Sequence, residues 1–131
     1  MARELNDDCL ILPIILTQDA AQVDGNGRKS LTPMYATFGT IRAEQRNEEW
    51  ARVLIGYIPH PNKNKRPRGK PDTEWKRYKK RVFRRAMRAM LAPITTFCRT
   101  GVKMVLRGRD GGLREMTVIP VIAFCAYDNP E

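Results

Sequence analysis

From Cys9 to Thr17 the chain is a run of apolar, mostly branched residues that gives way to Gln18-Asp19. A short apolar stretch of that kind predicts a buried strand. Asp24-Gly25-Asn26-Gly27 is a turn signal. Beyond Pro33, Met34-Tyr35-Ala36-Thr37-Phe38-Gly39-Thr40-Ile41 predicts a second strand, with Tyr35 and Thr37 on one face and Met34, Ala36 and Phe38 on the other. Arg42 to Trp50 is polar and reads as a connection or a short helical turn. Arg52 to Ile58 is a third strand, stopped by Pro59 and Pro61. Residues 62–71 hold Pro, Gly, Lys and Arg with nothing to bury, and form a basic loop.

A helix is expected over 72–92. Asp72 or Thr73 can cap it, and Glu74 in its first turn suits the positive end of the helix dipole. Trp75, Tyr78, Val82, Ala86 and Met90 recur at steps of three and four, with Phe83, Met87 and Leu91 widening the stripe. That stripe is expected to face the sheet and to leave Lys76, Lys80, Arg84 and Arg88 pointing outward. Trp75 and Tyr78 have a chemistry suited to stacking on bases, but their helical spacing favours packing in the core. Pro93 ends or kinks the helix, and Gly101 is the latest place it can stop. Val102 to Leu106, the turn Arg109-Asp110-Gly111-Gly112 and Arg114 to Val118 read as a hairpin. Ile119 to Ala126 is continuously apolar and fits a central strand, followed by Tyr127-Asp128-Asn129-Pro130-Glu131.

The fold class is therefore α+β or α/β in a single partial domain over 1–131. Its mixed sheet is expected to hold three antiparallel strands, then a long basic helix, then a fourth strand. An RNase H-like fold has this order: the helix crosses back and sets the fourth strand beside the first. Asp19 and Asp128, at or just after the first and last strands, would then meet at one edge. Paired carboxylates repel, and a divalent cation stabilises them together. Metals held this way can clamp the attacking and leaving oxygens of a phosphodiester.

Charge sharpens the picture. The net charge is +10. The segment from Lys63 to Arg88 (Lys63, Lys65, Arg66, Arg68, Lys70, Lys76, Arg77, Lys79, Lys80, Arg81, Arg84, Arg85, Arg88) carries thirteen bases against Asp72 and Glu74. That local +11 leaves the rest of the chain at −1. A basic block on a nearly neutral body is the footprint of a polyanion partner, and contact with DNA phosphates explains it better than a solvated helix face. Lys65-Arg66-Pro67-Arg68 with Lys76-Arg77-Tyr78-Lys79-Lys80-Arg81 also reads as a two-part nuclear import signal. No apolar run approaches the roughly 18 residues of a membrane span, and acids stand near the N-terminus where a secretory signal has bases, so a soluble intracellular chain is expected. Cys9, Cys98 and Cys125 are scattered and odd in number, and His60 has no cysteine near it. Core cysteines fit better than a disulfide or zinc.

Several stretches together resemble the Plavaka-type transposases of the KDZ group. They are Leu12-Pro13-Ile14-Ile15-Leu16-Thr17-Gln18-Asp19, then Pro33 to Ile41, then Ala51 to Pro59. The family has an Asp on its first strand, then a strand reading P-x-Y-x-T-x-G-N-I and one reading L-x-G-Y-L-P. Its later signature, D-G-x-x-R-x-x-x-P-I-x-A-x-x-x-D-x-P-E, is met by Asp110-Gly111, Arg114, Pro120-Val121, Ala123, Asp128 and Pro130-Glu131. The resemblance spans about residues 10 to 131. It implies that Asp19 and Asp128 are the first two acids of a DDE triad binding Mg2+ or Mn2+, and that the third lies beyond Glu131. The chain departs from the family at Asp19-Ala20-Ala21, where Asp-Lys-Thr is common, and at Thr40, where Asn is.

The expectation is thus a fragment of a transposon-derived DDE transposase whose complete parent cuts and joins DNA, while these residues alone bind without turnover. Its DNA contacts would be Lys63, Lys65, Arg66, Arg68, Lys70, Lys76, Arg77, Lys80, Arg81, Arg84, Arg85 and Arg88. The alternative is a non-catalytic DNA- or RNA-binding module built on the same basic helix. A sheet face left uncovered around Ile119 to Cys125 would invite self-association.

Overall fold

The computed structural model describes residues 9–18, 31–61, 68, 69 and 71–126. Five strands and one helix follow in the order β1 (Cys9–Gln18), β2 (Leu31–Phe38), β3 (Arg52–Pro59), α1 (Asp72–Thr100), β4 (Val102–Arg107) and β5 (Leu113–Ala126), with two 3-10 turns, Ala43–Gln45 and Glu49–Ala51, before β3. The sheet order is β3-β2-β1-β5-β4. It is an α+β fold with a mixed five-stranded sheet, antiparallel throughout except where β5 runs parallel to β1. The strand beside β1 is thus the fifth in the chain, not the fourth. The second arm of the expected hairpin and the apolar run after it are one strand of 14 residues. Leu113 to Val118 pairs with edge strand β4, and Thr117 to Ala126 pairs with β1. The residue pattern changes along β5 because its neighbours change.

Pro120 is tolerated mid-strand for the same reason. The β4 ladder ends at Val102↔Val118, and the Pro120 carbonyl accepts instead from the Cys98 thiol of α1. A proline is admissible where no ladder partner calls for its missing N–H.

α1 runs through Pro93 to Thr100, eight residues beyond the expected 92. Gly101 ends it at φ 71°, its N–H donating to the Phe97 carbonyl. The helix packs on β3 and β5. Its sheet-facing residues differ from those expected. Phe83, Met87, Met90, Leu91 and Ile94 pack against a core of Ile14, Leu16, Met34 and Ile58, joined by Ala36, Ile55 and Cys125. That face lies about 100° further round the helix than the centre of the Trp75-Tyr78-Val82-Ala86-Met90 stripe, of which only Met90 joins the core. Met90 lies over Gly56 of β3, so close that a methyl there would come within 2.5 Å of the Met90 sulfur.

The connection after β2 is pinned from within. The Arg46 guanidinium donates to the Ile41 and Gly39 carbonyls, and the buried Thr37 hydroxyl donates to the Ala51 carbonyl. Among the described residues no helix is long and apolar enough to cross a membrane.

Candidate nucleic-acid interface and carboxylate edge

The strand directions define one edge of the sheet. β1, β3 and β5 all end there and β2 begins there, because β1 and β5 are parallel and β2 is antiparallel to both its neighbours. At this edge His60 is hydrogen-bonded to the buried Thr32 hydroxyl. Gln18, the last described residue of β1, has a buried side-chain carbonyl with no hydrogen-bond partner. The two acids singled out in the sequence, Asp19 and Asp128, lie outside the described residues. What is described is the ladder leading to them, whose last parallel pair is Thr17↔Ala126. Each acid follows its member of that pair by two residues in the sequence. Among the described residues no group of three or more His, Cys, Asp or Glu could hold a metal.

The first turns of α1 lie outside the core cluster. Phe83 is its first residue in the core cluster, whose members Leu16, Met34 and Ile58 sit toward the same end of the sheet. The eleven residues before it, Asp72 to Val82, extend for about 16 Å without joining the core. The spacing of Phe83, Met87, Met90 and Ile94 continues backwards to Lys80 and Lys76, so the stripe that meets the sheet becomes basic where the core ends.

The bases gather on one flank. Arg77, Lys80, Arg81, Arg84, Arg85 and Arg88 line a single shallow groove, and all six are exposed, as is Lys76. No carboxylate pairs with Lys80, Arg81, Arg84, Arg85 or Arg88 among the described residues; the acids of the β4–β5 hairpin are taken by Lys103–Glu115 and Arg114–Asp110. Such a row is a concentrated positive field. The groove continues toward the C-terminus past Leu91, Ala92, Thr95 and Thr96 to Arg99. Arg68 is exposed on the approach to α1, while Lys63, Lys65, Arg66 and Lys70 lie outside the described residues.

Asp110 is a turn residue. It accepts from the Gly112 N–H and pairs with Arg114 at 2.8 Å, which accounts for the Asp-Gly and Arg of the signature without a catalytic role. The three cysteines are half-buried rather than enclosed. Burial raises the pKa of the Cys125 thiol, as for a small apolar side chain packed on the core. The sequence did not disclose the Thr32–His60 pair, and its spacing favoured core packing for Trp75 and Tyr78, whereas neither joins the core cluster, Trp75 being half-buried and Tyr78 exposed. Both depend on where the sheet stops relative to the helix, which no local pattern records.

A mixed five-stranded sheet with one long basic helix packed on it places the chain in the α+β class. Within it, the family model for the Plavaka transposases matches residues 1–131, the whole chain, and the chain belongs to the Plavaka transposase family. No curated protein and no solved structure matches it.

Proposed function

We propose that the chain is the DNA-handling part of a DDE-type transposase catalytic core with an RNase H-like sheet. In this reading Asp19 and Asp128 hold Mg2+ or Mn2+, and α1 grips the DNA backbone. The observation that carries it is the parallel β1–β5 ladder, with both acids at the same offset from the final pair. Equal offsets on neighbouring parallel strands are what a shared cation requires. The donor chemistry fits: two carboxylates and the unpartnered Gln18 carbonyl beside Asp19 are hard oxygen ligands suited to Mg2+ or Mn2+. When bound, such ions polarise a phosphodiester and activate water for its cleavage.

The protein's own part is to bind and orient. Arg77, Arg81, Arg84 and Arg88 recur at steps of four, three and four along about 16 Å of helix, and neutralise successive phosphates of a backbone laid in the groove. Lys76 and Lys80, on the stripe that continues the core past its end, face the carboxylate edge and hold the strand against it. The basic clusters around Arg68 and Lys80 also serve as a nuclear import signal, readable as nuclear accumulation of a fluorescent fusion that is lost when Lys79, Lys80 and Arg81 become Gln.

Two measurements test the two halves. Mn2+ should raise the melting temperature of the chain, by the equivalent of about 2.7 kcal/mol at a hundredfold excess over Kd. Asp19→Asn and Asp128→Asn should each abolish that rise while slightly stabilising the protein in EDTA, because one of two repelling charges is gone. An equal Mn2+ response in parent and variants rules out the carboxylate site and leaves a nucleic-acid-binding module. For the DNA half, duplex affinity should fall steeply with salt. Lys80→Gln/Arg84→Gln/Arg88→Gln should lower the slope of log affinity against log salt by about three units. An unchanged slope means the row is merely solvated.

A further inference from the structure

Trp75 and Tyr78 form a stacked pair on the first turns of α1, with ring centroids 5.5 Å apart and planes at 26°. Neither ring belongs to the core cluster, and Tyr78 is 46% exposed. Trp75 is half-buried, and the open ring of Tyr78 lacks the usual reason for its presence, burial. Its neighbours say what it meets. Lys76, Arg77, Lys79, Lys80 and Arg81 surround the pair in sequence, and the groove of bases runs along the adjoining flank. Aromatic faces interleaved with phosphate-binding cations are how proteins hold unpaired nucleotides: the bases stack and the backbone is neutralised. A duplex offers no base faces to such a pair, because they are stacked on one another.

We propose that Trp75 and Tyr78 are a stacking platform for unpaired nucleotides of single-stranded DNA, of the kind exposed where a duplex is nicked or frayed. The platform rests on the DNA-binding reading above and divides the labour of α1. The arginine row carries the backbone of any strand, and the aromatic pair selects strands whose bases are free. Tyr78 presents the open ring, and Trp75 backs it from one turn earlier, so the platform is rigid before DNA arrives and little ordering is lost on binding.

The test uses the full chain with Trp50, itself 66% exposed, changed to Phe, so that Trp75 is the remaining tryptophan. An oligothymidylate strand and a blunt duplex of equal length are each titrated while tryptophan emission is followed. The single strand should quench Trp75 and the duplex should not. Tyr78→Ala should weaken single-strand binding about tenfold and leave duplex affinity within about twofold, with Tyr78→Phe restoring it, since only the ring face is used. The Lys80→Gln/Arg84→Gln/Arg88→Gln variant should weaken both ligands alike. Duplex binding with a normal salt slope but no single-strand quench, or a Tyr78→Ala loss equal for both ligands, overturns the platform alone. Absence of binding to either DNA overturns the DNA reading and the platform with it.

Discussion

At the scale of single residues, two glycines stand where a Cβ would collide with a neighbouring side chain. Gly101 ends α1 at φ 71°, ψ 169°, a backbone region closed to residues with a Cβ, and a methyl there would come within 2.5 Å of Thr117 Cγ2. Gly101→Ala should therefore cost about 1–3 kcal/mol in urea unfolding, and a loss below about 0.5 kcal/mol contradicts the strained turn. At Gly56 the obstacle is the Met90 sulfur, on a side chain with several soft torsions. Gly56→Ala should cost only about 1 kcal/mol, near the low end for overpacking. Gly101 was legible as a helix stop because glycine after a helical run has a single common use. Gly56 was not, since its role depends on a side chain 34 residues away in the sequence. Asp19 and Asp128 lie outside the described residues, and what is described is the parallel ladder that stops two residues short of each, at Thr17↔Ala126.

At the scale of elements, the strands were readable and the helix face was not. β1 and β3 fall within a residue of their expected ends, because apolar runs bounded by polar or proline residues leave little choice. β2 runs Leu31–Phe38, three residues earlier at both ends than the expected Met34 to Ile41, because Pro33 lies within the strand rather than bounding it. α1 has an apolar arc wide enough for two faces, and periodicity cannot say which of them meets the sheet. Tertiary contact decides it: Met90 fits over Gly56 and Phe83 reaches the core. The corrected face has a measurable consequence. Phe83→Ala should destabilise the chain by about 2–3 kcal/mol, somewhat under the value for a fully enclosed ring, because Phe83 is only half-buried. Tyr78→Ala should cost under about 1 kcal/mol, as an exposed ring off the core does. If the two losses are equal, or Tyr78→Ala is the greater, the helix presents its other face to the sheet.

At the scale of the whole molecule, α1 covers one side of the sheet and the opposite side carries an apolar surface of its own. Alternation along β1 sends Ile14 and Leu16 to the helix, and Ile11, Pro13 and Ile15 to the other side. The parallel register sets Val121 beside Pro13 and Phe124 beside Ile15. Phe124 is 60% exposed, and Ile11, Val121 and Leu54 are exposed with it. The expected uncovered stretch of β5 is therefore part of a wider apolar surface that crosses several strands. Contiguous exposed apolar surface in water favours association, and each large side chain it removes from water contributes about 1.5–3 kcal/mol when fully covered. The chain should accordingly form dimers or larger species with rising concentration and should bind a hydrophobic dye while folded. Placing charge at the centre of that face with Phe124→Lys should return it to a monomer and suppress dye binding. The same change should leave the Lys80, Arg84 and Arg88 salt slope untouched, because the basic flank belongs to α1 on the other side of the sheet. Sedimentation velocity over a hundredfold concentration range reads the outcome. A parent that stays monomeric and dye-free throughout would mean the face is too dispersed to act as one surface. A Phe124→Lys variant that still associates would move the contact to other exposed apolar residues, such as Phe38, Trp50 and Val53 where β2 ends and β3 begins.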